Sequence, residues 1–434
     1  MLDERAPTAS VWCTARIRKS LGSADGLKLL SVGVLAFSPP QRRAVFCGSG
    51  FGLPPRDVSR PHVKPEYFYG IDAVRFASAL LVAFFHLGFS CWASPTSGAA
   101  EALRGAYALP QLAEWTWFGW VGVEIFFVIS GFVITSSAEQ ATPVQFFNSR
   151  VLRLYPAVWI CATLTLIVIL ASGLHASWFS YVTSMFLLPS GPWIDGQYWT
   201  LGVEIVFYAI VFLLLLFGQF ERVGNVAVAM GLVSAASLLL LTLKPDLRFL
   251  SNGIWRLTLL YYGIYFSLGI FIRLWIRNRL RPLHWVTAFI CLAAAAVQTR
   301  FHSVEMGARV IFSPVSLADR WYVATLVFYA GFIAVGASAF YRVRVTALPD
   351  EVLRVLRILG LATFPLYLLH FKIGVLLARR LVLWGFPPFF ALLATISILV
   401  ALAILIAAQL EPRVRALLKR AMLYLEGRLG LQPR

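Results

Sequence analysis

From residue 67 onward the chain alternates long apolar runs with short polar or basic connections. A bilayer core about 30 Å thick needs about 20 apolar residues in a helix. Ten stretches reach that length: 72–92, 116–138, 154–174, 197–218, 223–243, 256–275, 283–299, 321–341, 359–379 and 384–410. The seventh is the shortest, and the tenth lacks any charge between Leu381 and Leu410. Trp115, Trp117, Tyr155, Trp159, Trp199, Tyr261 and Trp321 crowd the borders, as interfacial aromatics do. The pattern predicts an all-α, polytopic integral membrane protein with about ten transmembrane helices, and an even number puts both termini on one side.

Composition agrees: 59% of residues are hydrophobic and only 13% are charged, about half the charge of a soluble domain. The charge that remains is lopsided, with Lys+Arg 38 against Asp+Glu 20 and a formal net of +18. A basic surplus can mark a nucleic-acid partner, but its distribution speaks for topology. With the N-terminus in the cytoplasm, inner segments hold about three basic residues for each outer one. Both termini are therefore expected in the cytoplasm, and no nucleic-acid partner is expected. The Cys and His residues are scattered without metal-ligand spacing, so no metal site is predicted and the thiols read as small buried hydrophobes.

Residues 1–66 are rich in Pro, Ser, Gly and Arg without helical or strand period, and read as a disordered tail. Because no methionine follows Met1 before Met185, an over-extended start is one reading, with the working protein beginning near Val63. Residues 67–410 form the transmembrane domain, and 411–434 a basic cytoplasmic tail.

Ionisable groups inside a membrane are costly and point to function. They are Arg75 and His86 in the first span, Glu124 in the second, Glu204 in the fourth, and His370 and Lys372 in the ninth. Arg75 and His86 are separated by roughly 16 Å along a helix axis, which places Arg75 near the inner end and His86 in the outer third. Glu124 and Glu204 are expected at the depth of His86, with His370 halfway along its helix and able to join them. Each could be a hydrogen-bonded structural group between helices. Several at one depth favour a polar cavity, where a His beside carboxylates suits either a general base or a proton relay in a transporter. Gly-Val-Glu-Ile occurs at both 122–125 and 202–205, but no surrounding similarity supports a repeat. In the inner loop, Arg150 and Arg153 share a helical face. Paired guanidiniums fit a phosphate-bearing ligand, or ordinary anchoring at lipid head groups.

Five segments, in order, resemble the membrane acyltransferase-3 family. They are Tyr69-Gly70-Ile71-Asp72-Ala73-Val74-Arg75-Phe76 leading to His86, Phe126-Phe127-Val128-Ile129-Ser130-Gly131-Phe132, Arg150-x-x-Arg153 with Tyr155-Pro156, Tyr198-Trp199-Thr200-Leu201-Gly202-Val203-Glu204, and Tyr367-Leu368-Leu369-His370. The resemblance spans residues 67–410. It implies a bacterial inner-membrane enzyme that moves an acyl group, usually acetyl, from acyl-coenzyme A to a hydroxyl of a glycan, lipid-linked saccharide, lipid or small metabolite. The acyl-coenzyme A is a substrate, and no permanently bound cofactor is implied. By position, His86 would be the base, with Arg75 and Glu204 in the catalytic group and Arg150 and Arg153 binding acyl-coenzyme A. Glu124, Ser130, Trp199, Tyr367 and His370 would line the cavity. Glu124 departs from the family's frequent Asp. The alternative is a proton-coupled transporter or flippase of a glycan or lipid.

Overall fold

The computed structural model describes residues 66–95, 97–251, 253–310 and 316–428. The segment expected to be disordered, with the start near Val63, lies outside the described residues apart from Glu66. Among the described residues there are only helices and their connections, and ten helices are long and apolar enough to cross a membrane. They are α1 (Tyr69–Ala93), α2 (Pro110–Ala138), α3 (Pro143–Ala171), α4 (Gly196–Leu216), α5 (Phe220–Leu243), α6 (Gly253–Ile276), α7 (Pro282–Arg309), α8 (Trp321–Phe340), α9 (Asp350–Leu369) and α10, which runs without a break over Pro388–Glu426.

Two boundaries differ from the sequence expectation. α9 starts at Asp350 and stops at Leu369, and a separate helix, Lys372–Leu383, follows. His370 therefore caps the end of α9 instead of sitting halfway along it, and Lys372 lies outside the span. The break carries no Gly or Pro. It is made by Asp195, whose carboxylate accepts the backbone N–H of Lys372 at 3.0 Å. At the other end of the domain, the segment after Glu411 continues α10 as a helix to Arg428.

Local chemistry accounts for several of these elements. Thr142 and Gln145 close a reciprocal capping box with Pro143 in the first turn, which fixes where α3 begins. In α2 and α6, Gly131 and Gly269 sit at a close crossing. A Cβ on Gly131 would strike the carbonyl oxygen of Phe266, and one on Gly269 that of Val128, so small residues let the two backbones touch. One turn of α1, His86–Ser90, is π-helical, a local irregularity that often accompanies functional sites.

Two apolar clusters make up the interior. One is built mainly from α2, α5, α6 and α8, and the other from α1, α3, α9 and α10. Phe126 and Tyr208 pack against both. The seam between the clusters is where the polar residues gather.

Candidate active site

A cavity of about 470 Å³ opens along that seam. Its wall carries four arginines, Arg75 from α1, Arg150 and Arg153 from α3 and Arg415 from the continuation of α10, with Glu204 of α4 as the facing carboxylate. Glu204 is held by two hydroxyls: Ser130 Oγ and Tyr208 Oη each donate to its Oε1 at 2.7 Å. Arg150 lies over the rings of Phe146 and Tyr208, at 5.5 and 5.7 Å. Arg153 lies 5.7 Å over Phe364 and 3.8 Å from the Glu411 carboxylate. Four guanidiniums against so few acids leave the cavity strongly positive, and planar forks of this kind bind phosphate oxygens in pairs.

Arg415 came from a region that the sequence assigned to a tail, and a proline explains how it is placed. Pro156 has no N–H, so the carbonyl of Leu152 four residues earlier lacks its helical donor. Arg415 Nε fills that vacancy at 3.1 Å, while the same guanidinium pairs with Glu411. The Tyr155-Pro156 step thus recruits a further cation beside Arg150 and Arg153. Pro365 in α9 does the same to the carbonyl of Leu361, another residue of the cavity wall.

At the deep end of the cavity stands Tyr367. Its hydroxyl shares a 2.9 Å hydrogen bond with Thr200, and its ring meets Phe126 edge-on at 5.6 Å. Directly behind it, 5.4 Å between ring centres, is His370, which is fully buried. The His370 ring is 5.2 Å from that of His86, and Phe371 closes the other side of His86 at 4.5 Å. His370 Nδ1 lies 2.7 Å from the Tyr367 carbonyl. A carbonyl only accepts, so Nδ1 carries the hydrogen and Nε2 keeps a lone pair. That Nε2 has no hydrogen-bond partner in the structure. His86 Nδ1 lies 3.2 Å from Ser90 Oγ across the π turn. The two imidazoles are thus anchored through Nδ1 and set beside each other.

A buried brace holds the histidine pair. Asp195, fully buried just before α4, accepts from Gly196 N, Gln197 Nε2 and Lys372 N at 2.9, 3.0 and 3.0 Å. Gln197 also donates to the Leu368 carbonyl at 2.8 Å, and Lys372 Nζ to the Ile194 carbonyl at 2.8 Å. Burial pushes the Asp195 carboxyl up to about 6.

The structure brings Arg75, Arg150, Arg153, Glu204, Ser130 and Tyr367 to one cavity wall, whereas His370 and His86 stand side by side behind Tyr367 and do not line it. It does not unite His86 with either glutamate. Glu204 belongs to the arginine end, and Glu124 faces away. At about 100° per residue, Glu124 lies on the opposite side of α2 from Phe126. There its Oε1 takes Gln298 Nε2 at 3.5 Å, while Gln298 in turn accepts from Tyr265 Oη at 2.8 Å. Trp199 also misses the wall. It stacks with Tyr262 at 5.3 Å, under the Arg256 guanidinium at 4.7 Å, and leaves the wall to Thr200 and Leu201. Among the described residues no group of His, Cys, Asp and Glu has metal-binding geometry. Sequence reasoning passed over Arg415, Tyr208, Thr200, Gln197 and Asp195. Asp195, an acid directly before an apolar span, was the one with a visible signal.

Ten apolar helices around an arginine-lined polar cavity define a multi-pass membrane protein. The chain belongs to the acyltransferase-3 family, whose acyltransferase domain matches residues 68–408. It is also similar to the exopolysaccharide production protein ExoZ of Rhizobium meliloti, 33% identical over 105 residues covering 21% of this chain and 33% of the relative. A nodulation protein 10 of Rhizobium leguminosarum bv. viciae is 28% identical over 155 residues, covering 30% of this chain and 41% of the relative. The matched part thus spans less than half the length of either relative. No solved structure matches the chain.

Proposed function

We propose that this multi-pass membrane protein is an O-acyltransferase of the bacterial inner membrane. It takes an acyl group, in the simplest case acetyl, from acyl-coenzyme A and gives it to a hydroxyl of a saccharide. The observation that carries the reading is the cavity itself: four arginines at one end, and at the other a tyrosine backed by two anchored histidines. Phosphates of the donor pair with Arg75, Arg150, Arg153 and Arg415, and the thioester reaches toward Tyr367. The positive-inside count supports a cytoplasmic arginine end, on the side where acyl-coenzyme A is found.

In the transfer, with Nδ1–H held by Ser90, His86 Nε2 takes the proton of the acceptor hydroxyl. The oxygen attacks the thioester carbonyl, and the tetrahedral intermediate collapses with loss of the C–S bond. The thiolate then recovers the proton from the imidazolium, so the base returns to its starting state. The Tyr367 hydroxyl, which lines the cavity beside Thr200, serves as the donor for the developing oxyanion. Glu204 holds the arginine end in register and does not touch the base. The saccharide assignment rests on the relative named for exopolysaccharide production.

Membranes containing the chain, incubated with radiolabelled acetyl-coenzyme A and host glycans, should incorporate label in an alkali-labile, ester-linked form. Movement of unmodified glycan across the membrane with no incorporation of label would return the protein to the transporter reading.

A further inference from the structure

The face made by α6, α7 and α8 carries a groove of about 450 Å³, separate from the cavity described above. Its walls are Trp275, Phe332, Ile333, Gly336, Phe340 and Tyr341 among other apolar side chains. Trp275 and Phe340 stack nearly parallel, 5.2 Å apart with 9° between planes. By chain direction, α6 ends, α7 begins and α8 ends at the face where Arg150 lies.

Six arginines crowd this end, and they divide into two groups. Arg273, Arg277 and Arg342 are paired with Glu66 and Glu139, with contacts of 2.5–3.6 Å. Arg279, Arg281 and Arg344 form no ion pair among the described residues. Those three are the ones at the groove. Arg279 and Arg281 flank Leu280, a residue of its wall, and the Arg344 guanidinium lies 5.1 Å over the ring of Tyr341, another. An apolar trough thus runs up to three cations without protein carboxylates.

We infer that this groove holds an anionic phospholipid of the surrounding bilayer, its acyl chain along Trp275 and Phe340 and its phosphate among Arg279, Arg281 and Arg344. A basic pocket between transmembrane helices is suited to an acidic lipid head group, and guanidiniums meet phosphate oxygens with paired donors. A second copy of the chain is the poorer occupant, since it would bring two sets of uncompensated arginines together. The lipid would tie the ends of α6 and α8 to the start of α7 and complete the neutralisation that Glu66 and Glu139 leave unfinished.

Native mass spectrometry of the full chain, titrated with phosphatidylglycerol or phosphatidylcholine, tests this. Phosphatidylglycerol should bind the wild type more tightly than phosphatidylcholine. Replacing Arg279, Arg281 and Arg344 together by Gln should weaken the anionic lipid about a hundredfold, at about a factor of five per arginine, and weaken the zwitterionic phosphatidylcholine far less. The same three positions changed to Lys should keep most of the affinity and report that the fold is intact. A Cβ built at Gly336 meets no atom within 4 Å, so Gly336→Leu has room to extend into the groove and should lower binding of both lipids. Unchanged phosphatidylglycerol binding in the Gln variant, or in Gly336→Leu, would overturn the proposal. So would competition by millimolar inorganic phosphate, or a dimer that dissociates in Gly336→Leu while lipid binding persists.

Discussion

Arg415 and Pro156 show how one residue's chemistry sets another's place. The missing N–H of Pro156 frees the Leu152 carbonyl, and that carbonyl draws Arg415 to the wall beside Arg150 and Arg153. If the arginines hold donor phosphates, Arg415→Ala should raise the KM for acyl-coenzyme A about tenfold or more with little change in kcat, because a hydrogen bond to a charged group is worth about 1.5–3 kcal/mol. Steady-state kinetics with varied donor would check it, and an unchanged KM would return Arg415 to a purely structural pairing with Glu411. Glu124 and Glu204 give the contrasting lesson. Both sit in a Gly-Val-Glu-Ile tetrapeptide, yet one faces a Gln–Tyr pair between α2, α6 and α7 and the other an arginine-lined cavity. Residue type was legible in the sequence, but the depth shared by His86 and the two glutamates was not. Nor was helix azimuth, since it is set by which neighbours pack on which face.

Helices supplied most of what the sequence could predict. All ten spans were readable because apolar runs of bilayer length leave no other way to satisfy backbone hydrogen bonds. α9 was displaced because its first turns, with Asp350, Glu351, Arg354 and Arg357, look too charged for a span, and because its end depends on Asp195, 175 or more residues earlier in the chain. The FFxxSGF segment acquires a physical reading at this scale: Phe126 plugs the seam, Ser130 clamps Glu204 and Gly131 permits the α2–α6 crossing. Gly131→Ala forces a Cβ against a backbone carbonyl that cannot move aside, so it should destabilise by about 1–3 kcal/mol. Gly336→Ala, which meets nothing, should not. Thermal unfolding of the two variants in detergent compares them directly, and equal melting temperatures would mean that the crossing is looser than the structure indicates.

For the whole molecule, the buried brace at Asp195 couples stability to pH. Its carboxyl rises from an ordinary value of 3.8 in the unfolded chain to about 6 when folded. Between those values the folded state binds the proton more readily than the unfolded state, so this group's contribution is full below about pH 4 and is lost as pH rises toward 6. Asp195→Asn should remove that downward slope, as measured by unfolding in detergent from pH 4 to 7. The same slope in the variant would assign it to another group. Glu66 and Glu139 stay charged: burial opposes this, but hydrogen bonds from Arg342 and Arg273 to Glu66, and from Arg273 and Arg277 to Glu139, hold both carboxyls below the usual range. Among the described residues, arginines thus gather in three places: the pairs with Glu66 and Glu139, the arginine end of the cavity and the rim of the α6–α8 groove.

In the proposed reaction an acyl group passes from the arginine end of the cavity to an acceptor activated at the histidine pair. Acetyl transfer by His86→Ala in reconstituted membranes, measured together with binding of a non-transferable coenzyme A thioether, tests it most directly. With His86 as the base, kcat should fall by about 10²–10⁴-fold while thioether affinity stays within about twofold of wild type. Full transfer by His86→Ala would contradict it, and so would a loss of thioether binding that accounts for the whole defect.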